Sequence, residues 1–140
     1  MKYLIDTNVF VRFLVKDNEQ MFKDCEHLFL SLETKMVQGF TVSHVMAELV
    51  WVLQSFYHFE KQKIVSALKS FHIHGISIDD RLNFPLAIEF FETFNVKFID
   101  ALLASHRLVQ NGKTVIISYD KDFDKLGVAR KEPQEIFTQK

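Results

Sequence analysis

Residues 3–14 read YLIDTNVFVRFL and join a short apolar run, a polar triplet and a second apolar segment. The run Tyr3-Leu4-Ile5 is typical of a buried β-strand. The triplet Asp6-Thr7-Asn8 suits a helix start, because all three side chains can cap free backbone N–H groups. A buried strand that leads directly into a helix is the opening of an α/β domain, so this stretch predicts the fold class.

The alternation of strand and helix continues along the chain. Short strands that alternate with helices indicate an α/β domain with a mostly parallel sheet, whose sites form where the strands end. We predict a single domain over residues 1–140. Strands are expected at residues 2–5, 39–42, 74–78, 114–118 and 127–129. Helices are expected at residues 9–14, 18–32, 44–53 with Ser43 as cap, 61–71, 82–94 and 99–110, and a short one within 120–126.

The composition describes an ordinary folded protein. Hydrophobic residues make up 48% of the 140 residues and charged residues 25%, which fits one packed domain. The net charge of −1 gives no overall basic field, which weakens a nucleic-acid role without excluding it. A lone cysteine, an early acid at Asp6 and the absence of an apolar run of about 18 residues predict a cytoplasmic protein without a membrane segment.

Four acidic residues lie in apolar surroundings where a carboxylate is costly unless something compensates its charge. Each also has a simpler explanation. Asp6 and Asp100 could be helix caps, and Glu48 could be half-exposed at the edge of an apolar stripe. Asp120, with Asp122 and Asp124 nearby, could belong to a solvated turn. Taken together, acids from four different elements favour a site that gathers Asp6, Glu48, Asp100 and Asp120 around Mg²⁺ or Mn²⁺.

Other candidate groups are weaker. His72 and His74 form a His-x-His pair that would share one face of a strand and could bind zinc, but no third ligand has a suggestive spacing. Cys25 lies on an apolar helix face and is expected in the core rather than at a reactive site.

The four acidic segments, in this order and at these separations, resemble the PIN-domain ribonucleases. Within that family they are most similar to the VapC-type toxins of prokaryotic toxin–antitoxin pairs. The resemblance runs from Tyr3 to about Val128. The most specific segments are DTN at residues 6–8, ELVWVL at 48–53, FIDAL at 98–102 and SYDKDF at 118–123.

The resemblance implies a three-layer α/β/α sandwich and a metal-dependent endoribonuclease. Asp6, Glu48, Asp100 and Asp120 match the family's acidic quartet, and Asp6, Asp100 and Asp120 are the implied ligands of Mg²⁺ or Mn²⁺. The fourth acid could instead be Asp122. The polar positions that hold the acids in place are matched by Thr7, Asn8 and Ser118, the last standing where the family often has threonine.

The resemblance also implies an RNA substrate, a cognate antitoxin and a homodimer. Aromatic residues in excess of one small core are consistent with an interface; they are Phe22, Phe29, Phe56, Tyr57 and Phe59. Two alternatives remain open. One is a binding module of the same fold without activity, and the other is a metal-dependent phosphatase on a similar scaffold.

Overall fold

The structure, a computed structural model, describes residues 2–137 as five strands and eight helices with a final 3₁₀ turn. The strands are β1 (Lys2–Ile5), β2 (Gln38–Thr41), β3 (Ser77–Ile78), β4 (Thr114–Ile117) and β5 (Arg130–Lys131). The helices are α1 (Thr7–Val15), α2 (Glu19–Glu33), α3 (Ser43–Ser55), α4 (Lys61–Ile73), α5 (Phe84–Thr93), α6 (Phe98–Ala104), α7 (Arg107–Gln110) and α8 (Asp122–Lys125), and the 3₁₀ turn is Pro133–Ile136.

The five strands form one sheet in the order β3-β2-β1-β4-β5, and every neighbouring pair is parallel. The chain moves from β1 outward to β3 and then crosses back to β4. Since such crossovers are right-handed, α1 to α4 cover one face of the sheet and α5 to α8 the other. This is the predicted α/β/α sandwich, with a sheet that is entirely rather than mostly parallel.

The core on the first face is built from aromatic rings. Phe10 of α1 is fully buried, and its ring centroid lies 5.5 Å from that of Phe29 in α2 and 4.9 Å from that of Phe71 in α4. These contacts join three helices above β1. Because β1 is the central strand, the packing fixes the start of α1 directly beside the sheet.

One predicted helix is in fact two. Residues 99–110 were expected to be continuous, but the structure breaks them after Ala104. The fully buried Ser105 donates from Oγ to the Leu102 carbonyl at 2.6 Å and accepts from the Asn83 backbone N–H at 3.1 Å. His106, also fully buried, caps α7 through Leu108 N–H and bonds the Asp79 carbonyl at 2.8 Å. Both side chains thus tie this turn to the segment that follows β3.

Several other boundaries also differ from the prediction. The third strand is limited to Ser77–Ile78, because α4 extends to Ile73, and the last strand, Arg130–Lys131, begins directly after the predicted 127–129. Ser43 does not cap α3 with its side chain. Instead, Asp80 accepts hydrogen bonds from the Ser43 backbone N–H at 2.7 Å and from its hydroxyl. Among residues 2–137, no helix combines the length and apolarity that a membrane span requires.

Replacing the central ring of the aromatic core should destabilise the protein strongly. We expect Phe10→Ala to lower the free energy of unfolding by about 3–5 kcal/mol, since it leaves a cavity among three helices. Phe56→Ala is the matched control because that ring is 70% exposed, and it should change stability by less than about 0.5 kcal/mol. Urea denaturation of both variants checks this, and equal losses would contradict the assignment of the core.

Candidate functional site

A cleft of about 230 Å³ lies where β1 and β4 end, and the four predicted acids line it. They reach it from different elements. Asp6 follows β1, Glu48 is on α3, Asp100 is on α6 and Asp120 follows β4. The structure thus places the four predicted side chains around one cleft, and their catalytic and metal-binding roles stay a prediction.

Asp6 is held by the first turn of α1 and by β4. Its Oδ1 accepts from the Thr7 backbone N–H at 2.8 Å, so the capping interpretation is correct as well. Its Oδ2 accepts from the Ser118 hydroxyl at 2.7 Å. Burial outweighs these bonds, since the side chain is only 7% exposed, and raises the pKa of Asp6 to about 6.

Ser118 is the centre of a small polar network. Its Oγ donates to Asp6 and accepts from the Asn8 side-chain amide at 3.0 Å and from the Asp120 backbone N–H at 3.0 Å. Asn8 in turn accepts from the Tyr119 N–H at 3.2 Å. The predicted supporting role of Asn8 and Ser118 thus has a geometric basis. Thr7 is buried beside them, but its hydroxyl has no hydrogen-bond partner within the described residues.

Asp100 is the least solvent-exposed acid of the group. Its side chain is 2% exposed, and its Oδ2 has no hydrogen-bond partner among residues 2–137. Lys97 is the N-cap residue of α6, so the alternative that Asp100 is the cap is wrong. Burial first, and then a hydrogen bond to Asp120, raises the pKa of Asp100 to about 8.

Asp120 differs from Asp100 because its pKa is lowered rather than raised. Burial disfavours its charge, but hydrogen bonds from the Asp122 backbone, from Asp100 and from Lys97 hold the pKa of Asp120 below its ordinary value. The Asp122 N–H lies 2.9 Å from Asp120 Oδ1. Asp100 and Asp120 therefore form a carboxylic acid–carboxylate pair near neutral pH, with the proton on Asp100.

Oxygen atoms of Asp100, Asp120 and Asp122 lie within 4.8 Å of one another, a spacing that fits one cation. Asp122 does not line the cleft, however, and its carboxylate lies 3.0 Å from the Lys125 ammonium. Asp124 points elsewhere and pairs with Arg130 at 3.0 Å. The acidic turn is thus divided: Asp120 faces the cleft, Asp122 lies at its margin and Asp124 lies outside.

Two cations also line the cleft, and neither was predicted from the sequence. The Lys97 ammonium lies 3.5 Å from Asp120 Oδ2, while Arg12 pairs with Asp17 at 2.8 Å. Burial opposes the charge of Lys97, but the carboxylates of the cleft raise its pKa. The available signal was the spacing, since residues three apart on a helix share a face and Lys97 precedes Asp100 by three.

The weaker candidates lie outside this cleft. His72 is in the last turn of α4 and His74 caps that helix, so the two do not share a strand face. Cys25 is fully buried in α2, as predicted, and its sulfur lies 3.4 Å from the Tyr119 hydroxyl. Burial raises the pKa of Cys25 to about 11, which disfavours the reactive thiolate.

Comparison with known proteins agrees with this architecture. The PIN domain family model matches residues 3–129. Among solved structures, the chain is similar to one described as VapBC2 from Rickettsia felis bound to a DNA fragment from their promoter. The TM-score is 0.65 at 21% identity, over 94% of this chain and 98% of that chain, and at this identity the likeness concerns the fold alone. A search of curated proteins finds no match.

The raised pKa values predict that the protein loses stability as pH rises. The folded protein keeps protons on Asp6 and Asp100 that the unfolded chain releases near the ordinary aspartate pKa of 3.8. Burial of the two charged carboxylates therefore opposes folding at higher pH. In EDTA, the free energy of unfolding should fall as pH rises above that value, through about 6 and about 8.

Asp100→Asn should remove much of this slope. We expect the variant to exceed the wild type by on the order of 2 kcal/mol at pH 8 and to match it near pH 4, by urea denaturation in EDTA. Asp24→Asn, on α2 and outside the cleft, should keep the wild-type slope. A variant that is no more stable than the wild type at pH 8 would show that burying the charged form of Asp100 does not destabilise the folded protein.

Proposed function

The chain belongs to the PIN-domain family, and we propose that it is a metal-dependent endoribonuclease and the toxin of a type II, VapBC-like toxin–antitoxin pair. The observation that carries the proposal is the buried Asp100, whose Oδ2 lacks a partner among the described residues and which offers a carboxyl oxygen within 4.8 Å of one from Asp120. A cation bound between two such carboxylates compensates charges that are otherwise costly to bury.

The residues fit a hard divalent cation. We assign Asp6, Asp100 and Asp120 as the ligands of Mg²⁺ or Mn²⁺, which prefer carboxylate oxygens. Asp120 is preferred to Asp122 as the fourth acid because it lines the cleft and Asp122 does not. The backbone N–H of Asp122 instead orients Asp120.

Such an ion would polarise a phosphodiester and lower the pKa of a bound water. The protein groups have separate tasks in this proposal. Glu48, half-buried on α3 across the cleft, orients the attacking water or adds a ligand. Ser118, Asn8 and Thr7 fix the positions of Asp6 and Asp120. The positive charge that attracts RNA would come from the ion, since the chain has a net charge of −1.

An antitoxin and a second copy of the chain are the proposed partners, and the cytoplasm is the proposed location. The fold likeness to VapBC2 supports the antitoxin. Exposed apolar side chains support an interface, although only one of the five predicted aromatic residues is among them. Of the five aromatic residues named from the sequence, Phe29 is buried and Phe22, Tyr57 and Phe59 are half-buried, so that Phe56 alone of the five is exposed.

A larger exposed apolar stripe lies on α5, at Phe84, Ile88 and Phe91. Sedimentation velocity of the purified protein tests the homodimer, which should have twice the mass of one chain. A monomer at all concentrations would remove this part of the proposal and leave the nuclease assignment intact.

The nuclease assignment predicts metal-dependent cleavage that Asp100→Asn abolishes. Purified protein should cut a labelled total-RNA sample into discrete fragments with Mn²⁺ or Mg²⁺ and not with EDTA. Asp100→Asn should reduce the rate by at least about 100-fold, because it removes a charged ligand with little change of shape. Asp24→Asn is the matched control and should cleave at the wild-type rate.

Two other results would point to the alternatives. A folded wild-type protein that leaves RNA intact in both metals would favour a binding module. Release of inorganic phosphate from phosphomonoesters, without cleavage of RNA, would favour a phosphatase. Cleavage by Asp100→Asn at the wild-type rate would refute the site.

The toxin assignment predicts a growth phenotype that follows the same residue. Induced expression of the wild-type chain in a bacterial host should stop growth, whereas Asp100→Asn at equal abundance should not. Viable counts measure growth, and immunoblots measure the abundance of each protein. Arrest by both proteins would separate toxicity from cleavage and contradict a nuclease toxin.

A further inference from the structure

Lys97 is a cation placed inside an otherwise acidic cleft. It is the N-cap residue of α6, three residues before Asp100, and its side chain is 66% exposed. Its ammonium lies 3.5 Å from Asp120 Oδ2. The side chain therefore borders the ligands proposed above while remaining free to move into solvent.

The neighbouring cations are held by other acids. Arg12 lies 2.8 Å from Asp17, Lys125 lies 3.0 Å from Asp122 and Arg130 lies 3.0 Å from Asp124. Lys97 differs because its carboxylate partner belongs to the group that lines the cleft.

The two oxygens of Asp120 have different surroundings. Oδ1 accepts the Asp122 backbone N–H at 2.9 Å, while Oδ2 faces Lys97. A backbone donor cannot leave without unfolding the turn, whereas a lysine side chain can rotate away. The oxygen that is readily offered to a metal ion is thus the one beside the ammonium.

We propose that Lys97 is a built-in competitor of the metal ion at Asp120, and that it makes the site bind divalent cations more weakly than its carboxylates alone would. This inference rests on the proposed metal site. Lys97 acts on Asp120 through its charge and sets the cation concentration at which the site fills.

The size of the effect follows from electrostatics at an exposed position. A single charge a few ångströms from a divalent ion, in a largely aqueous environment, changes its affinity by roughly three- to twentyfold at low salt. The effect should shrink as ionic strength rises, because an exposed charge is screened.

Titration calorimetry with Mn²⁺ alone tests the proposal on four proteins at low ionic strength. Lys97→Met should bind Mn²⁺ roughly three- to twentyfold more tightly than the wild type, and the difference should diminish in high salt. Lys97→Arg keeps the charge and should stay near the wild type. Lys121→Met removes the same charge beside Asp120 in sequence, from an exposed position that does not line the cleft, and is the matched control.

The possible failures can be distinguished. If the wild type binds Mn²⁺ and Lys97→Met binds it equally or more weakly, the competitor role is refuted while the metal site stands. If Lys121→Met strengthens binding as much as Lys97→Met, the effect is one of net charge and the specific role is refuted. If none of the four proteins binds Mn²⁺ while circular dichroism shows them folded, both this inference and the proposed metal site are wrong.

Discussion

The parallel pairing of β1 with β4 is the contact on which the candidate site depends. In this register Ile5 lies opposite Ile117, and the Asp6 N–H continues the ladder to the Ile117 carbonyl at 3.0 Å. The next residues, Asp6 and Ser118, are therefore side by side, and their side chains meet. The same hydroxyl also accepts hydrogen bonds from the Asp120 backbone and the Asn8 amide, so this meeting positions the part of the cleft that follows the two central strands. A shift of one residue in either strand would separate the groups, since alternate side chains point to opposite faces.

The electrostatics of the cleft oppose folding and favour cation binding for the same reason. Burial raises the pKa values of Asp6 and Asp100, while hydrogen bonds keep Asp120 charged. An ionised Asp6 and Asp100 would be poorly compensated by the protein, as Lys97 is largely exposed and Arg12 is engaged with Asp17. Sites that bind ligands commonly carry such local strain, which the rest of the core must offset.

The sequence predicted what depends on short-range pattern and missed what depends on distant partners. Local spacing was sufficient to predict the strands β1 and β4, the cap at Asp6 and the apolar faces of the helices. The four acids could be identified because carboxylates are conspicuous among apolar neighbours. The break at Ser105 and His106 could not be predicted, since it requires Asn83 and Asp79 from another segment. The same holds for α3, where the expected cap Ser43 is replaced by Asp80, 37 residues away. Lys97 was overlooked because a lysine next to an apolar run is the common pattern of an exposed helix start.

The hydrogen bonds from Ser43 to Asp80 mean that two sides of the cleft are anchored to different parts of the sheet. Asp6 and Asp120 follow the two central strands, so their backbones are anchored within the sheet. Glu48 is on a helix whose first turn is fastened to the loop after β3, a two-residue strand at the edge of the sheet. Edge strands and their loops tolerate insertions and substitutions that central strands do not. Variation in this loop would consequently reposition Glu48 relative to a fixed pair of aspartates, so that the distance across the cleft can be tuned in evolution without rebuilding the sheet.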